Sequence, residues 1–421
     1  MLLLIINSIA YFATFFFFQK RVGSLQVASV VLLTYSIASL GSIYIYSVSP
    51  VWGDWNFNNL TLFPFLYLYV VLLISFIPIM EFSNTKCINM RLPKSFAMNI
   101  ISLLIIIFNL VFFVQTILSS FSISDLFSAD ILADNYEDKG ESMAVKGGNL
   151  FGALKNVFID VLWIMFMYNW VCRKRILALG LIVSIFISVL TSLAWGARGP
   201  VMSIIMQMPF AYIVFLPLMT STQKKQIVFS ASILGGVVFA GFWAMTYGRF
   251  SDNVNHTLTD IIIYYVSSDF LFFNNYAIDP GGCRYGDRVF PLFRMLLGLD
   301  TADGWRDRRL LFTKLKVDDS QFTTFVGEFC IDFGPIVAFA IISFFSFIIY
   351  RKFKKKKYDL GDVVLGMLWY HILIYGFTLF VYAEKSGNLR ILYLLFFAYL
   401  FKRITPRRKK IESISQSIIV L

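Results

Sequence analysis

Charge is scarce in this chain. Of its 421 residues only 15% are Asp, Glu, Lys or Arg, against about one-quarter in a soluble domain. That leaves too little polar surface to coat a fold in water, so the chain reads as an integral membrane protein. Histidine is scarcer still. His256 and His371 are the two; they are far apart and lack ligand spacing, so no metal site is expected. No D-x-D triplet occurs, which argues against a metal-dependent nucleotide-sugar transferase. No G-K-[ST] occurs either, so there is no Walker loop. No nucleic-acid signature is present, because clusters at membrane anchors account for the net charge of +12. Cysteines number four. Cys87 and Cys172 fall on the side read below as cytoplasmic and are expected to be reduced. Cys283 and Cys330 fall in or beside a large outer loop, where pairing stays open.

What the chain does have is hydrophobic length. Apolar residues make up 58%, with 46 phenylalanines and 21 tyrosines, and the mean hydropathy is +0.72. Runs long enough to cross about 30 Å of hydrocarbon fall near 1–18, 25–48, 61–80, 95–118, 151–171, 176–195, 201–220, 227–247, 333–350, 361–382 and 391–403. The first lacks a basic leader and a clear small-x-small cleavage site, so it is read as a span and not a signal peptide. The expected fold is all-α: a polytopic helical bundle of about eleven transmembrane helices with a large extracytoplasmic loop.

Lysine and arginine orient this bundle. Lys20 and Arg21, Lys86 with Arg91 and Lys94, Arg173 to Arg175, Lys224 and Lys225, Arg351 to Lys357, and Lys402 to Lys410 hold 22 of the 37 basic residues. They occupy every second connection, which the positive-inside rule makes cytoplasmic. The N-terminus is then outside and the C-terminus inside. Three regions follow: spans 1–8 in 1–247, with an acidic outer loop at 119–150; a large outer loop at 248–332; and spans 9–11 with a basic tail in 333–421. Within the large loop, 261–278 is apolar but carries Asp269 and two asparagines. It is expected to lie in the membrane interface or dip into it without crossing.

Several cations sit on the outer side, where topology does not need them. Arg198, in AWGARGPVMS, has no other charge within ten residues on either side. Arg249 ends the eighth span in TYGRFSD. Arg284, Arg288 and Arg294 follow in DPGGCRYGDRVFPLFR, and Lys385 and Arg390 flank AEKSGNLR. Gly281, Gly282 and Gly286 allow tight turns with exposed amides, a plausible phosphate cradle. Arg306, Arg308 and Arg309 alternate with acids and read as a solvated surface. Intramembrane ionisable groups are few. Asp160 is one, expected to pair with Lys155 or a tyrosine.

Taken in order, WGARGP, TYGRFSD, the arginine-rich loop and QFTTFVGEFCIDFGPIVAF resemble the O-antigen polymerase (Wzy) family. Related polymerases commonly read G-S-R-G in the first motif, where Ala197 stands here. The T-x(7)-D-F-G element matches Thr324, Asp332, Phe333 and Gly334. The resemblance implies a GT-C type fold in a bacterial inner membrane. It also implies polymerisation of undecaprenyl-pyrophosphate-linked oligosaccharide repeat units on the periplasmic face. One lipid-linked oligosaccharide is donor and another acceptor, and undecaprenyl pyrophosphate leaves. No cofactor and no metal are implied. Membrane lipids are partners, and a chain-length regulator is an optional further one.

Arginine suits such a leaving group, because its fork grips two phosphate oxygens and stays charged. Arg198 and Arg249 are the expected catalytic cations. Arg284, Arg288, Arg294, Arg390 and Lys385 are the supporting ones, and Tyr247 and Tyr285 are neutral donors or sugar platforms. The base for the acceptor hydroxyl is sought among Asp252, His256, Glu328 and Asp332. Asp332 has the alternative role of capping the ninth helix. Two other functions compete: an O-antigen ligase with almost the same site, and a lipid-linked oligosaccharide flippase or other transporter.

Overall fold

A computed structural model describes residues 1–88, 90–117, 150–194, 198–232, 235–236, 257–317 and 321–406. It is mostly helical. The helices used below are α1 (Leu2–Val22), α2 (Val27–Val48), α3 (Leu62–Glu81), α4 (Ser95–Phe112), α5 (Leu150–Phe158), α6 (Leu162–Val171), α7 (Arg175–Ala194), α8 (Arg198–Phe215), α9 (Leu258–Ser267), α10 (Thr324–Phe333), α11 (Pro335–Phe353), α12 (Leu360–Tyr375) and α13 (Glu384–Ile404). Among the described residues, seven helices are long and apolar enough to cross a membrane: α1, α2, α3, α4, α7, α8 and α11. The protein is membrane-embedded and multi-pass.

Local chemistry sets many of the helix ends. α1 stops at Gly23, whose φ of 69° is the left-handed conformation that glycine adopts without strain. At the start of α12, the Asp359 carboxylate accepts the Asp362 amide, and Asp362 reaches back to the Asp359 amide. Thr257 and Asp260 form the same reciprocal cap on α9. Pro335 opens α11, where a missing amide hydrogen costs nothing.

The two ends of the bundle differ in charge. One end gathers the basic turns. Lys86 bonds the Phe353 carbonyl, the Arg91 amide bonds Tyr358, and Lys174 reaches Ser95 and Asn99. This is the basic end. The opposite, loop end carries a two-stranded hairpin (Val51–Trp52 and Trp55–Asn56) and the whole of 257–317.

The 261–278 stretch packs on the protein. α9 lies against α2 so closely that a Cβ on Gly41 would sit 2.0 Å from the Ser267 hydroxyl. Tyr264 stacks on Trp52 at 4.5 Å, Tyr276 bonds the Asn56 backbone, and Asn274 bonds both backbone groups of Thr61. Asp269, just beyond α9, is thereby buried at 1% exposure.

The 151–171 run is not one continuous α-helix. It breaks into α5 and α6 at a 3₁₀ turn over Ile159–Val161, and Asp160 sits in the break. α8 packs beside α6, α7 and α12, and α13 packs along α12. The break therefore faces the centre of that group.

Candidate functional site: two linked polar clusters

The first cluster lies between α5, α8, α12 and α13. Arg390 grips Asp160 through both nitrogens, Nε to Oδ2 at 2.8 Å and Nη2 to Oδ1 at 2.5 Å. Gln207 of α8 donates to the same Oδ1 at 3.0 Å. His371 of α12 has one nitrogen on Ser203 at 2.9 Å and the other on Tyr382 at 3.0 Å. Its Nδ1 also lies 3.6 Å from Asp160 Oδ1. The Arg390 guanidinium stands 5.1 Å from the centre of the Tyr382 ring, a favourable cation–π distance. The Asp160 carboxylate is buried and Gln207 satisfies a further lone pair, while the Arg390 side chain keeps 21% exposure, which lowers the cost of holding the pair inside the protein.

Lys155 is not the partner of Asp160. It lies over the Phe112 ring at 4.4 Å. Five residues separate it from Asp160, and that spacing does not share a helix face as three or four does. Tyr375 adds a link upward, donating to the Gly199 carbonyl at 3.1 Å. The cluster thus ends next to the first turn of α8, which begins at Arg198.

The second cluster is in the loop. The turn at 284–289 bends at Gly286 (φ 82°), where a Cβ would strike the Phe333 ring at 2.9 Å. Its amides do cradle an anion, and that anion is Asp332. One Asp332 oxygen accepts the Arg288 and Val289 amides at 3.2 and 2.8 Å. The other meets Arg284 Nε at 2.6 Å. Glu328, one turn earlier on α10, lies 2.5 Å from Arg288 and 3.7 Å from Arg284. All four side chains are almost fully buried.

Asp287 extends the network by binding Arg308 at 2.8 Å, and Arg308 then forks onto both Glu384 oxygens at 2.8 Å. Asn388 accepts the Leu292 amide and donates to the Val289 and Tyr382 carbonyls. Glu384 and Arg390 both belong to α13, six residues or about 9 Å apart. One helix therefore carries a member of each cluster.

The structure brings together some of the expected residues and separates others. Arg284, Arg288 and Asp332 meet, with Glu328. Asp332 does not cap α11; it lies in the last turn of α10, and Gly334 holds the cap position of α11. Arg294 donates to the Tyr285 and Asp300 carbonyls, and Lys385 pairs with Asp303 at 3.2 Å. Tyr285 is 70% exposed. Arg390 belongs to the other cluster. Arg308, read as solvated, is 1% exposed. Cys283 and Cys330 are free thiols. Tyr247, Arg249, Asp252, His256 and the 119–149 loop lie outside the described residues, and Arg198 is described by its backbone. The sequence reading missed Gln207, Ser203, Asp287, Glu384 and Asn388. Each is a common polar type without a motif, so its partners become visible when the helices pack.

Asp269 stands apart. Neither of its oxygens finds a hydrogen bond on another residue among the described ones. Burial drives its carboxyl well above the usual carboxylate range, and the nearby Glu328 charge adds to this. No group of three or more His, Cys, Asp or Glu among the described residues is placed to hold a metal.

Protein-family models, curated proteins and solved structures were all compared with the chain, and none matches.

Proposed function

We propose that the protein polymerises undecaprenyl-pyrophosphate-linked oligosaccharide repeat units at the extracytoplasmic face of a bacterial inner membrane. The loop end of the bundle is that face, so the N-terminus is periplasmic and the C-terminus cytoplasmic. The reaction is glycosyl transfer. The acceptor hydroxyl attacks the donor's anomeric carbon, the glycosidic bond to phosphate breaks, and undecaprenyl pyrophosphate leaves with the bonding pair.

One observation carries the reading. α8 of a membrane bundle begins at Arg198, at the loop end. The free amides of a helix N-terminus and an arginine at the same point suit an anion held at the membrane surface. A lipid pyrophosphate must sit at that height, because its tail stays in the bilayer. Charge placed where it grows in the transition state lowers the barrier, and loss of one such contact typically costs about 3–4 kcal/mol. Arg249 is the expected second cation. Arg284 and Arg288 act one step back, shaping the loop through Glu328 and Asp332.

Purified protein in liposomes with a lipid-linked repeat unit tests this: a ladder of polymers on a gel supports it. Product restricted to a lipid A core or protein acceptor identifies a ligase instead. The intramembrane Asp160–Arg390 pair favours a second reading, a flippase or other transporter, since charge inside a bundle often marks a transport path. Movement of a labelled lipid-linked sugar between leaflets, with no ladder, identifies that.

A further inference from the structure

The segment from Pro291 to Leu311 buries two of its arginines wholly or largely and turns its leucines outward, with Asp300, Asp303, Arg306 and Asp307 also exposed. Arg308 is buried on Asp287 and Glu384. Arg294 is held by two backbone carbonyls. Meanwhile Leu296 is 69% exposed, Leu297 77%, Leu310 76% and Leu311 61%. A segment surrounded by water folds the other way, and a run of large exposed apolar residues marks a surface that something covers.

The geometry also indicates what covers it. The segment is fastened to the head of α13 by Leu292 on Asn388, Arg308 on Glu384 and Asp303 on Lys385. Just below, α13 presents its own exposed apolar face in Leu392, Leu395 and Phe396, which faces lipid in a membrane-embedded bundle. The loop leucines continue that surface past the helix end. Charged residues of both signs, Asp300, Asp303, Arg306 and Asp307, are exposed beside these leucines, and an apolar face flanked by a charged one is the pattern of a helix lying in the membrane interface.

We propose that the helices Pro291–Leu296 and Trp305–Leu311 are seated in the lipid leaflet at the loop end, with Leu296, Leu297, Leu310 and Leu311 entering the boundary between headgroups and acyl chains. The occupant of this surface is the membrane itself. The seating holds the Arg284–Glu328–Arg288–Asp332 network and the head of α13 at headgroup height. It holds whatever reaction the protein performs.

Photo-crosslinking tests it on the full-length protein in nanodiscs of phosphatidylethanolamine and phosphatidylglycerol. The photoreactive residue p-benzoylphenylalanine replaces Leu297 or Leu310 in turn. Ile336, 85% exposed on α11, serves as the lipid-facing reference, and Asp54, at the hairpin tip, as the aqueous one. Mass spectrometry should find phospholipid adducts at 297 and 310 within about twofold of the Ile336 yield and about tenfold above Asp54, as interfacial burial requires. Yields at the Asp54 level overturn the proposal. So do adducts to a second copy of the chain, or to another protein when whole cells are irradiated. Leu296 and Leu311 give the same readout where either variant fails to fold.

Discussion

Arg390 and Asp160 are 230 residues apart in the chain and share two hydrogen bonds inside the bundle. The arginine belongs to the last long helix among the described residues and the aspartate to a break in the middle of the chain. Their contact ties α13 to the junction of α5 and α6.

Breaking that pair from one side should be costly. Arg390→Ala leaves the buried Asp160 carboxylate without its counterpart, a loss of about 3–5 kcal/mol, and Asp160→Ala, which leaves a partly exposed arginine, should cost less. Replacing both at once, as Asp160→Leu with Arg390→Met, should recover a large part of the lost stability. Thermal unfolding in detergent of wild type, Asp160→Leu, Arg390→Met and the double variant, which together close a double-mutant cycle, measures this. Strictly additive losses would show that the two residues do not interact.

Asp269 should make stability depend on pH. Its folded pKa is raised, so the folded protein holds the proton more tightly than the unfolded chain does. Its contribution to stability is full below an unfolded value near about 4. That contribution is lost as pH rises toward the folded value. Asp269→Asn, which cannot ionise, should therefore melt higher than wild type at pH 7, by an amount on the order of a few degrees. The gap should close as pH falls toward about 4. A gap that is the same at both pH values would disprove the assignment.

Orientation can be read by labelling. A single cysteine introduced among 351–357 and another at 300 should react from opposite sides of the membrane, and the one at 300 should react from the extracytoplasmic side. Equal labelling of both positions by an impermeant reagent on intact cells would overturn the topology.

Arg198 separates catalysis from anchoring. If it grips pyrophosphate, Arg198→Ala should abolish polymer at normal expression, while Arg198→Lys keeps part of the activity, because lysine lacks the bidentate fork. The same ranking is expected at Arg249. The double variant should lose less than the sum of the singles, since both act on one charge. The readout is ladder length in a strain lacking its own polymerase. Full ladders from Arg198→Ala would show an anchor that snorkels to headgroups.

The sequence alone determined the solvent, and with it the class of fold. Long apolar runs with scarce charge have one stable solution in lipid, the helix, because each backbone amide must be satisfied within its own segment. Local chemistry also sets several ends, such as the Thr257–Asp260 and Asp359–Asp362 caps, whose partners lie three residues apart, although the sequence reading did not single them out.

The tertiary structure decided which charge meets which. Asp160 had Lys155 nearby in sequence, yet helical periodicity turns the two apart, and Arg390 arrives from the far end of the chain. Glycines at 281, 282 and 286 read as a phosphate cradle, and the amides just beyond them, of Arg288 and Val289, hold the Asp332 carboxylate. Arg308 read as solvated and is buried, while the leucines around it are exposed. Pairing between distant polar residues depends on how helices pack, and no spacing within one segment encodes that.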